Sequence, residues 1–260
     1  MNVLAFDIES IPDVVGGRRI YNLEGLADAD IAQVMFNKRR ERTDSEFLPV
    51  HLQRIVAISA VLRSGDSLKI WSLGDIDAQE PEIIRRFFDG VDRYTPTLVT
   101  WNGNGFDLPV LHHRAMVHLI QAPRYWDNGD NDRDFRFNNY LSRYHYRHTD
   151  LMDVLNAYQP RGAASLDQMA QLCGLPGKLG MDGSKVWEAY QNGELKQIRD
   201  YCETDALNTY LLYLRWQVLR GVMSAKQLEA EHERVEQLLK KEQQSHFTAF
   251  LAAWHEAGEG

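Results

Sequence analysis

The chain has 260 residues, of which 44% are hydrophobic and 25% are charged, so it can bury a sizeable core and fits one large or two small globular domains. A formal net charge of -8 argues against a protein that coats nucleic acid through a general excess of cations. The two cysteines, Cys173 and Cys202, lie far apart and outside any zinc-ligand spacing, which argues against a disulfide framework or a structural zinc.

Hydrophobic runs are too short to predict a membrane span. None approaches the roughly 18 consecutive apolar residues that a span requires. The chain starts on a strand-like segment, residues 2–6, rather than on a charged and then apolar leader. We therefore expect a cytoplasmic protein without membrane contact.

The first third of the chain predicts a β-meander. Residues 2–9, 54–63 and 67–73 have the apolar runs of buried strands, and a turn at 64–66 joins the last two. The segment between the first two strands, about 12–53, is too long for a hairpin loop. We interpret it as an insertion that is partly helical.

Helical patterns dominate the rest of the chain. A helix over about 79–92 precedes a short strand at 97–101, and a second helix runs from near Asp107 to about 121. A polar, aromatic-rich loop over 123–148 follows, after which the pattern is mostly helical. Strands first and helices later, with a β-α-β passage between them, predict an α/β fold in which helices flank a mixed β-sheet.

Two acids on the first strand begin the functional signal. Asp7 and Glu9 alternate with Ile8, so both carboxylates project from the same face of the sheet and repel each other unless a cation lies between them. A third acid, Asp107, follows a glycine-rich turn and opens a helix, where the helix dipole and free backbone amides favour an ionised carboxylate.

A tyrosine and a fourth acid share one face of a late helix, because Tyr201 precedes Asp205 by four residues. Ligand sets rich in oxygen, without sulfur or imidazole, suit Mg²⁺ or Mn²⁺ rather than Zn²⁺. Two such ions about 3.5–4 Å apart can activate a water and stabilise the leaving oxygen of an in-line displacement. The set therefore predicts hydrolysis of phosphodiesters.

Each of these signals has a plainer structural interpretation when it is taken alone. Acid pairs on strands arise often by chance, and Asp107 by itself is better explained as a helix N-cap. Asp150 and Asp153 form a further acidic pair. We interpret Asp150 as a helix N-cap in preference to a metal ligand. The order and local setting of the four acids and the tyrosine favour the catalytic interpretation.

The motifs resemble those of the DEDDy 3'-5' exonucleases of the RNase H-like superfamily, over roughly residues 2–215. Residues 6–10 are similar to the first motif and residues 201–205 to the third, whereas residues 101–111 are similar to the second motif of the proofreading domain of family B DNA polymerases. Residues 165–178 and 180–186 add similarity to the stand-alone predicted exonucleases related to that domain.

The resemblance implies an RNase H-like fold and a cofactor of two Mg²⁺ or Mn²⁺ ions. It implies that Asp7, Glu9 and Asp205 share the ion that activates water, and that Asp7 bridges to the second ion with Asp107 nearby. It also implies that Tyr201 orients the attacking water, because a phenol with a pKa of about 10 is a poor base at neutral pH.

Other residues of the motifs are candidate substrate contacts. For Asn102 a turn role is an equal alternative, and for Ile8 packing in the core is the stronger one. In the 123–148 loop, arginines alternate with aromatic residues, which slightly favours contact with single-stranded nucleic acid over a surface loop pinned by aromatics. The candidate contacts are Ile8, Ser10, Asn102, Phe106 and Leu108.

We expect residues 1–221 to form the exonuclease domain and residues 222–260 to form a helical extension. The tail has apolar residues at helical spacing, so it predicts an amphipathic helix or helix pair. That surface would pack on the domain or contact a partner, including a second copy of the chain. The apolar residues are Leu228, Val235, Leu238, Leu239, Phe247, Phe250, Leu251 and Trp254.

The predicted function is a metal-dependent 3'-5' exonuclease that releases nucleoside 5'-monophosphates from single-stranded ends, with DNA favoured over RNA. One alternative is a catalytically silent module of the same fold that only binds nucleic acid. Another is an exoribonuclease that trims RNA 3' ends. Contacts with the sugar decide between DNA and RNA, and the sequence does not place them.

Overall fold

A five-stranded mixed sheet forms the centre of the computed structural model, which describes residues 2–159 and 161–258. The strands are β1 (Asn2–Pro12), β2 (Gln53–Ser64), β3 (Ser67–Ser72), β4 (Thr97–Thr100) and β5 (His148–Asp150). Their order in the sheet is β3-β2-β1-β4-β5. β2 pairs antiparallel with β1 and β3, whereas β4 pairs parallel with β1 and β5.

Helices cover both faces of this sheet. In the first half of the chain they are α1 (Val14–Tyr21), α2 (Asp28–Thr43), α3 (Glu80–Tyr94) and α4 (Asp107–Val117). In the second half they are α5 (Leu151–Leu155), α6 (Leu166–Leu172), α7 (Val186–Gln191), α8 (Leu195–Leu219), α9 (Ala225–Glu242) and α10 (Ser245–Gly258). The predicted α/β architecture, a mixed sheet flanked by helices with a helical C-terminal extension, is confirmed.

The central strand β1 divides the core into two halves. Val3 and Ala5 pack on the face that α8 covers, whereas Phe6 and Ile8 pack on the face that α3 and α4 cover. This period-two alternation is the geometry of an extended strand. A β-bulge shifts the pairing between Glu9 and Ser10, directly after the acid pair.

The C-terminal tail is a helix pair that packs on the domain. Val235 of α9 and Phe247 and Trp254 of α10 are buried in the same hydrophobic cluster as α8. Arg63 of β2 also donates two hydrogen bonds to Glu231 of α9, at 2.9 and 2.7 Å. The structure thus shows that the tail packs on the domain, which is one of its two predicted roles. The other role, contact with a partner, stays a prediction.

The segment between β1 and β2 is partly helical, as predicted, and has a small core of its own. Buried side chains from α1, α2 and the stretch before β2 form that core, including Ile31, Met35 and Leu52. Gly17 of α1 allows the close approach, since a Cβ there would lie 2.4 Å from the Met35 sulfur.

A buried arginine anchors the start of this insertion. Arg114 of α4 bonds to Asp13 and to Glu80 of α3, each at 2.6 Å, and the Arg114 side chain is only 5% exposed. Glu80 also accepts hydrogen bonds from His118 and from the backbone of Ile55, each at 2.7 Å. This network ties the insertion to α3, α4 and β2.

Two features of the fold differ from the sequence-based expectation. The three-residue strand β5 lies where the sequence predicts a loop and a helix, because three residues are too few to show a period of two. The α4 helix ends at Val117 rather than near residue 121, and Leu119 shortly after it has a left-handed φ of 53°.

The aromatic loop is divided between core and surface. Tyr125, Phe135 and Tyr140 are at most 2% exposed and pack under α3 and α4, so they do not contact substrate as the loop's composition suggested. Phe137 and Tyr144 remain exposed.

Within the two described ranges, no helix has the length and apolarity needed to cross a membrane.

We expect Arg114→Met to lower the free energy of unfolding by about 3–5 kcal/mol, because it leaves two buried carboxylates without their cation. Urea denaturation measures this change. A matched control is Arg86→Met, which breaks an exposed pair with Glu82, where the side chains are 51% and 43% exposed. The control should cost less than about 1 kcal/mol. Equal effects of the two substitutions would contradict the role of Arg114.

Candidate active site

Three of the predicted acids converge at one end of the sheet. Asp7 and Glu9 project from β1, and Asp205 projects from α8, which crosses that face. One carboxylate oxygen from each residue lies within 4.8 Å of one from each of the others. The Cys202 thiol donates to the backbone carbonyl of Asp7 at 3.3 Å, which holds the strand and α8 together at this point.

The fourth acid, Asp107, reaches the same strand from the opposite layer. Its Oδ1 accepts a hydrogen bond of 3.2 Å from the backbone N–H of Ile8, the residue between Asp7 and Glu9. The N-cap position of α4 is Phe106, and Asp107 is the first residue of the helix, 4% exposed. The structure therefore brings the four predicted acids to the same end of β1.

Burial and mutual repulsion make these acids hard to ionise without a cation. Burial, followed by repulsion from the neighbouring acids, raises the pKa of Asp7 and of Glu9 well above the usual range. Burial raises the pKa of Asp107 to about 7 and that of Asp205 to about 6. The backbone amides at Asp107 lower its pKa as expected from a helix start, but burial outweighs them.

The site fits a divalent cation. Among the described residues, Asp205 Oδ1 is a buried oxygen without a hydrogen-bond partner, and unpaired acceptors of this kind are rare in folded proteins. A hard cation would take up that oxygen and offset the repulsion between Asp7, Glu9 and Asp205. The oxygen-only ligand set agrees with the metal type predicted from the sequence.

Tyr201 lies one helical turn before Asp205 and is 7% exposed. Burial, followed by the negative charge of Asp205, raises the pKa of the phenol above its ordinary value. A hydrogen bond from Tyr201 in turn lowers the pKa of Asp205, although burial remains the larger effect. The phenol therefore keeps its proton at neutral pH and can donate it in a hydrogen bond but cannot act as a base.

The sequence motifs assign no role to Lys178, a cation beside the acids. Its positive charge opposes the effect of burial and lowers the pKa of both Glu9 and Asp205. The Lys178 Nζ also lies 5.7 Å from the centre of the Tyr201 ring. The sequence feature that could have pointed to Lys178 is the turn Leu175-Pro176-Gly177-Lys178. By itself this turn indicates only similarity to the family.

The loop that carries Lys178 is fixed by its backbone. Gly177 has a left-handed φ of 67°, and its carbonyl accepts a 2.9 Å hydrogen bond from the buried Asn208 of α8. The backbone N–H of Lys178 donates to Asp167 at 2.8 Å. A Cβ at position 177 would lie 2.5 Å from the Asp167 carboxylate, so glycine is required there.

Asp150 shapes the turn before Asp107 and does not join the four acids. Its carboxylate caps α5 and accepts hydrogen bonds from the backbone of Asn102 at 2.9 Å and of Asn104 at 2.8 Å. The predicted N-cap role of Asp150 is confirmed. Asn102 has a left-handed φ of 67°, so it acts as a turn residue, and its contact with substrate stays a prediction.

The remaining candidate contacts fall into two groups. Ser10 and Phe106 line a cleft of about 660 Å³ that also includes Glu9. Ile8 of β1 and Leu108 of α4 are each 3% exposed and belong to the same hydrophobic core. Packing explains both side chains, and their contact with substrate stays a prediction.

A second group of potential ligands ties the tail to α8. His246 of α10 places Nε2 at 2.8 Å from Glu203 and Nδ1 at 3.4 Å from Asp200. Glu203 also accepts a 2.7 Å hydrogen bond from Ser72, and Asp200 pairs with Lys196 at 2.6 Å. These contacts hold α10 and β3 against α8, so the group has a structural explanation without a metal.

A mixed sheet of this order, with acids from β1, α4 and α8 at one end, defines an RNase H-like domain with a candidate divalent-metal site. Residues 45–254 match the model of a family described as predicted 3'-5' exonucleases related to the exonuclease domain of PolB, and the chain belongs to that family. Exonuclease domains of this kind use divalent metals. The matched range includes Asp107, Tyr201 and Asp205, whereas Asp7 and Glu9 precede it.

The chain is also similar to the catalytic polypeptide of DNA polymerase epsilon from Saccharomyces cerevisiae. The two are 22% identical over 145 residues, which is 53% of this chain and 6% of the yeast protein. The chain therefore corresponds to only a small part of that relative.

We expect the contribution of Asp107 and Asp205 to the stability of the metal-free protein to fall between about pH 4 and pH 7. The folded-state pKa values of Asp107 and Asp205, about 7 and about 6, exceed the ordinary value of 3.8. Their contribution is fully present below the ordinary pKa and is lost as the pH rises through the folded-state values. Burial lowers the pKa of His112 and of His148 to about 4, so their contribution rises over part of the same range. The measurement is therefore the difference in Tm between a variant and the wild type against pH in EDTA, and addition of Mg²⁺ or Mn²⁺ at about pH 7.5 should raise the Tm of the wild type.

Relative to the wild type, Asp107→Asn should gain Tm as the pH rises from about 4 to 7, since the amide does not titrate. Asp66→Asn, at an exposed turn after β2, is the matched control, and the difference between its Tm and that of the wild type should stay nearly constant over this range. Parallel curves for Asp107→Asn and the wild type would contradict the pKa assignment for Asp107.

Proposed function

We propose that this protein is a metal-dependent 3'-5' exonuclease of the DEDDy type, which hydrolyses single-stranded DNA from the 3' end and releases nucleoside 5'-monophosphates. The observation that carries the proposal is the convergence of carboxylates from residues 7, 9, 107 and 205, which come from three separate parts of the sequence, at one end of β1. Membership in the exonuclease family supports the same reaction.

Asp7, Glu9, Asp107 and Asp205 are the residues that would hold two Mg²⁺ or Mn²⁺ ions. When bound, such a pair supplies an activated water and stabilises charge on the attacking and leaving oxygens of an in-line displacement. Raised pKa values support this assignment, because a group of buried acids that is hard to ionise alone is stabilised by a bound cation.

We propose that the protonated Tyr201 hydroxyl donates a hydrogen bond to a water or a phosphate oxygen beside Asp205. Its raised pKa supports a positioning role, because the proton stays on the phenol. Lys178 adds a positive charge near Glu9 and Asp205, which favours the approach of an anionic phosphodiester. Phe106 and Ser10 line the adjoining cleft and are proposed to contact the terminal nucleotide.

The preference for DNA over RNA rests on similarity alone. The yeast relative is named as the catalytic part of a DNA polymerase, and the shared segment is 22% identical. A role in DNA repair would use such an activity to remove 3'-terminal nucleotides.

The proposal predicts a ladder of products that shortens from the 3' end of a 5'-labelled single strand. Cleavage should require Mg²⁺ or Mn²⁺ and stop in EDTA. Asp7→Asn should lower the rate by at least about 10³-fold, the factor that corresponds to the several kcal/mol a metal contributes to transition-state stabilisation. Parallel reactions on single-stranded RNA, blunt DNA and 3'-recessed DNA identify the substrate.

Asp66→Asn serves as the control for this assay, because it makes the same chemical change at an exposed position far in sequence from the site. Cleavage by Asp7→Asn at the wild-type rate would point to a contaminating nuclease. Binding of single strands without shortening by the wild type would replace the enzyme with the silent binding module.

Tyr201→Phe should lower kcat by about 10- to 100-fold with little change in KM, because one hydrogen bond at a reacting group contributes on the order of 1.4–2.7 kcal/mol. The fold should be retained, since the ring stays in place. Tyr213→Phe is the matched control, a buried tyrosine further along the same helix. Single-turnover kinetics should show loss only at position 201, and equal rates for both variants would exclude the positioning role.

A further inference from the structure

The cleft beside Glu9 has a wall that does not come from the catalytic motifs. Its volume, about 660 Å³, lies within the roughly 300–1,000 Å³ range of small-ligand sites. Ser10 and Phe106 line one part of the cleft, and the insertion between β1 and β2 lines another part, which we call the insertion wall. The insertion residues along it are Phe36, Ser45, Glu46, Phe47 and Leu48.

The side chain of Phe47, one of the insertion residues that line the cleft, is exposed to solvent. Its side chain is 60% exposed, whereas the neighbouring Leu48 is 2% exposed and packs in the core of the insertion. The Phe47 ring lies 5.3 Å from the Phe106 ring, centre to centre, with an angle of 46° between the planes. Phe106 is directly followed by Asp107, so the pair lies next to the proposed metal ligands.

The backbone of Phe47 is fixed by two hydrogen bonds. Its carbonyl accepts from Arg39 Nε at 2.8 Å, and its N–H donates to Ser45 Oγ at 3.1 Å. The ring is therefore presented on an ordered segment, and a ligand that stacks on it does not have to order the chain first.

The charges around the cleft favour an uncharged group over a phosphate. Glu46, Asp182 and Glu188 line it together with Glu9, and Lys178 is the one cation among the described lining residues. A phosphate placed along these acids would be repelled, whereas every nucleobase is neutral and offers a flat surface to an aromatic ring. The cleft thus suits the base of a nucleotide whose phosphate would lie at the cations that Asp7 and Glu9 are proposed to hold.

We propose that Phe47 is a base-stacking residue of the substrate site, which with Phe106 holds an unpaired base at the 3' end. This inference rests on the proposed exonuclease function and adds its specificity determinant. A paired terminal base exposes only its outer face and is held by its partner, whereas an unpaired base is free to turn into the cleft and stack on Phe47. On this proposal the insertion favours single-stranded ends.

The test uses a DNA oligonucleotide with the fluorescent base 2-aminopurine at its 3' end, bound to the Asp7→Asn variant so that binding occurs without cutting. Stacking quenches this fluorophore, and anisotropy of a 5' label on the same strand gives Kd. Adding Phe47→Ala should abolish the quenching and raise Kd about 5- to 150-fold, the factor that corresponds to the stacking contribution of one base. Adding Phe47→Tyr should preserve both readouts.

Tyr94→Ala is the matched control for the loss of a surface aromatic ring. Tyr94 is 36% exposed, and its carbonyl accepts a hydrogen bond from Asn2, at the end of β1 opposite to Glu9. This control should leave quenching and Kd unchanged. Thermal unfolding of each variant checks that the fold is retained, which is expected for Phe47→Ala because the ring is mostly in solvent.

The outcomes separate this inference from the proposed function. If the wild type shortens the strand but Phe47→Ala leaves quenching and Kd unchanged, the stacking role is wrong and the exonuclease stands. If Phe47→Ala abolishes quenching but the wild type never shortens any strand, the stacking role stands and the exonuclease fails. An absence of binding by any variant would overturn the stacking role.

Discussion

The structure depends on one electrostatic constraint, which is that the half-buried Asp7 and three buried carboxylates lie together at one end of β1. Asp7, Glu9 and Asp205 have oxygens within 4.8 Å of one another, and Asp107 hydrogen-bonds to the strand between the first two. Burial alone would favour neutral acids, as the raised pKa values show. A cation is the simplest group that stabilises all four acids in the charged form. The arrangement that disfavours ionisation of the acids without metal therefore also favours binding of a divalent ion.

The rest of the domain keeps these acids in place through neutral or paired contacts. Asp150 uses its carboxylate to fix the turn that leads to Asp107, and Cys202 holds α8 to the backbone of Asp7. Lys178 supplies one positive charge near the site, and it is carried on a loop whose shape depends on Gly177. A chain with a net charge of -8 can therefore handle an anionic polymer, because positive charge is needed only where the phosphate reacts.

Features of the site that follow from local geometry could be predicted from the sequence. A period of two places Asp7 and Glu9 on one face, and a spacing of four places Tyr201 above Asp205. Features that depend on packing could not. Lys178 reaches the acids because its loop is bonded to the distant helix α8 through Asn208. Burial of Asp107, and of Ile8 and Leu108, follows from the layers formed by α3 and α4, which no local pattern specifies.

The wide separation of the acids along the chain has a consequence for how the protein folds. β1 lies in the centre of the sheet and pairs with β2 and β4, but the ligand Asp205 comes from α8, far toward the other end of the chain. Contacts of such long range form late, because the entropy of closing the intervening chain must be overcome first. During synthesis, the first strand therefore emerges long before its partner ligand. The proposed metal site therefore cannot be complete until α8 has been made, because a partly made chain lacks the ligand Asp205.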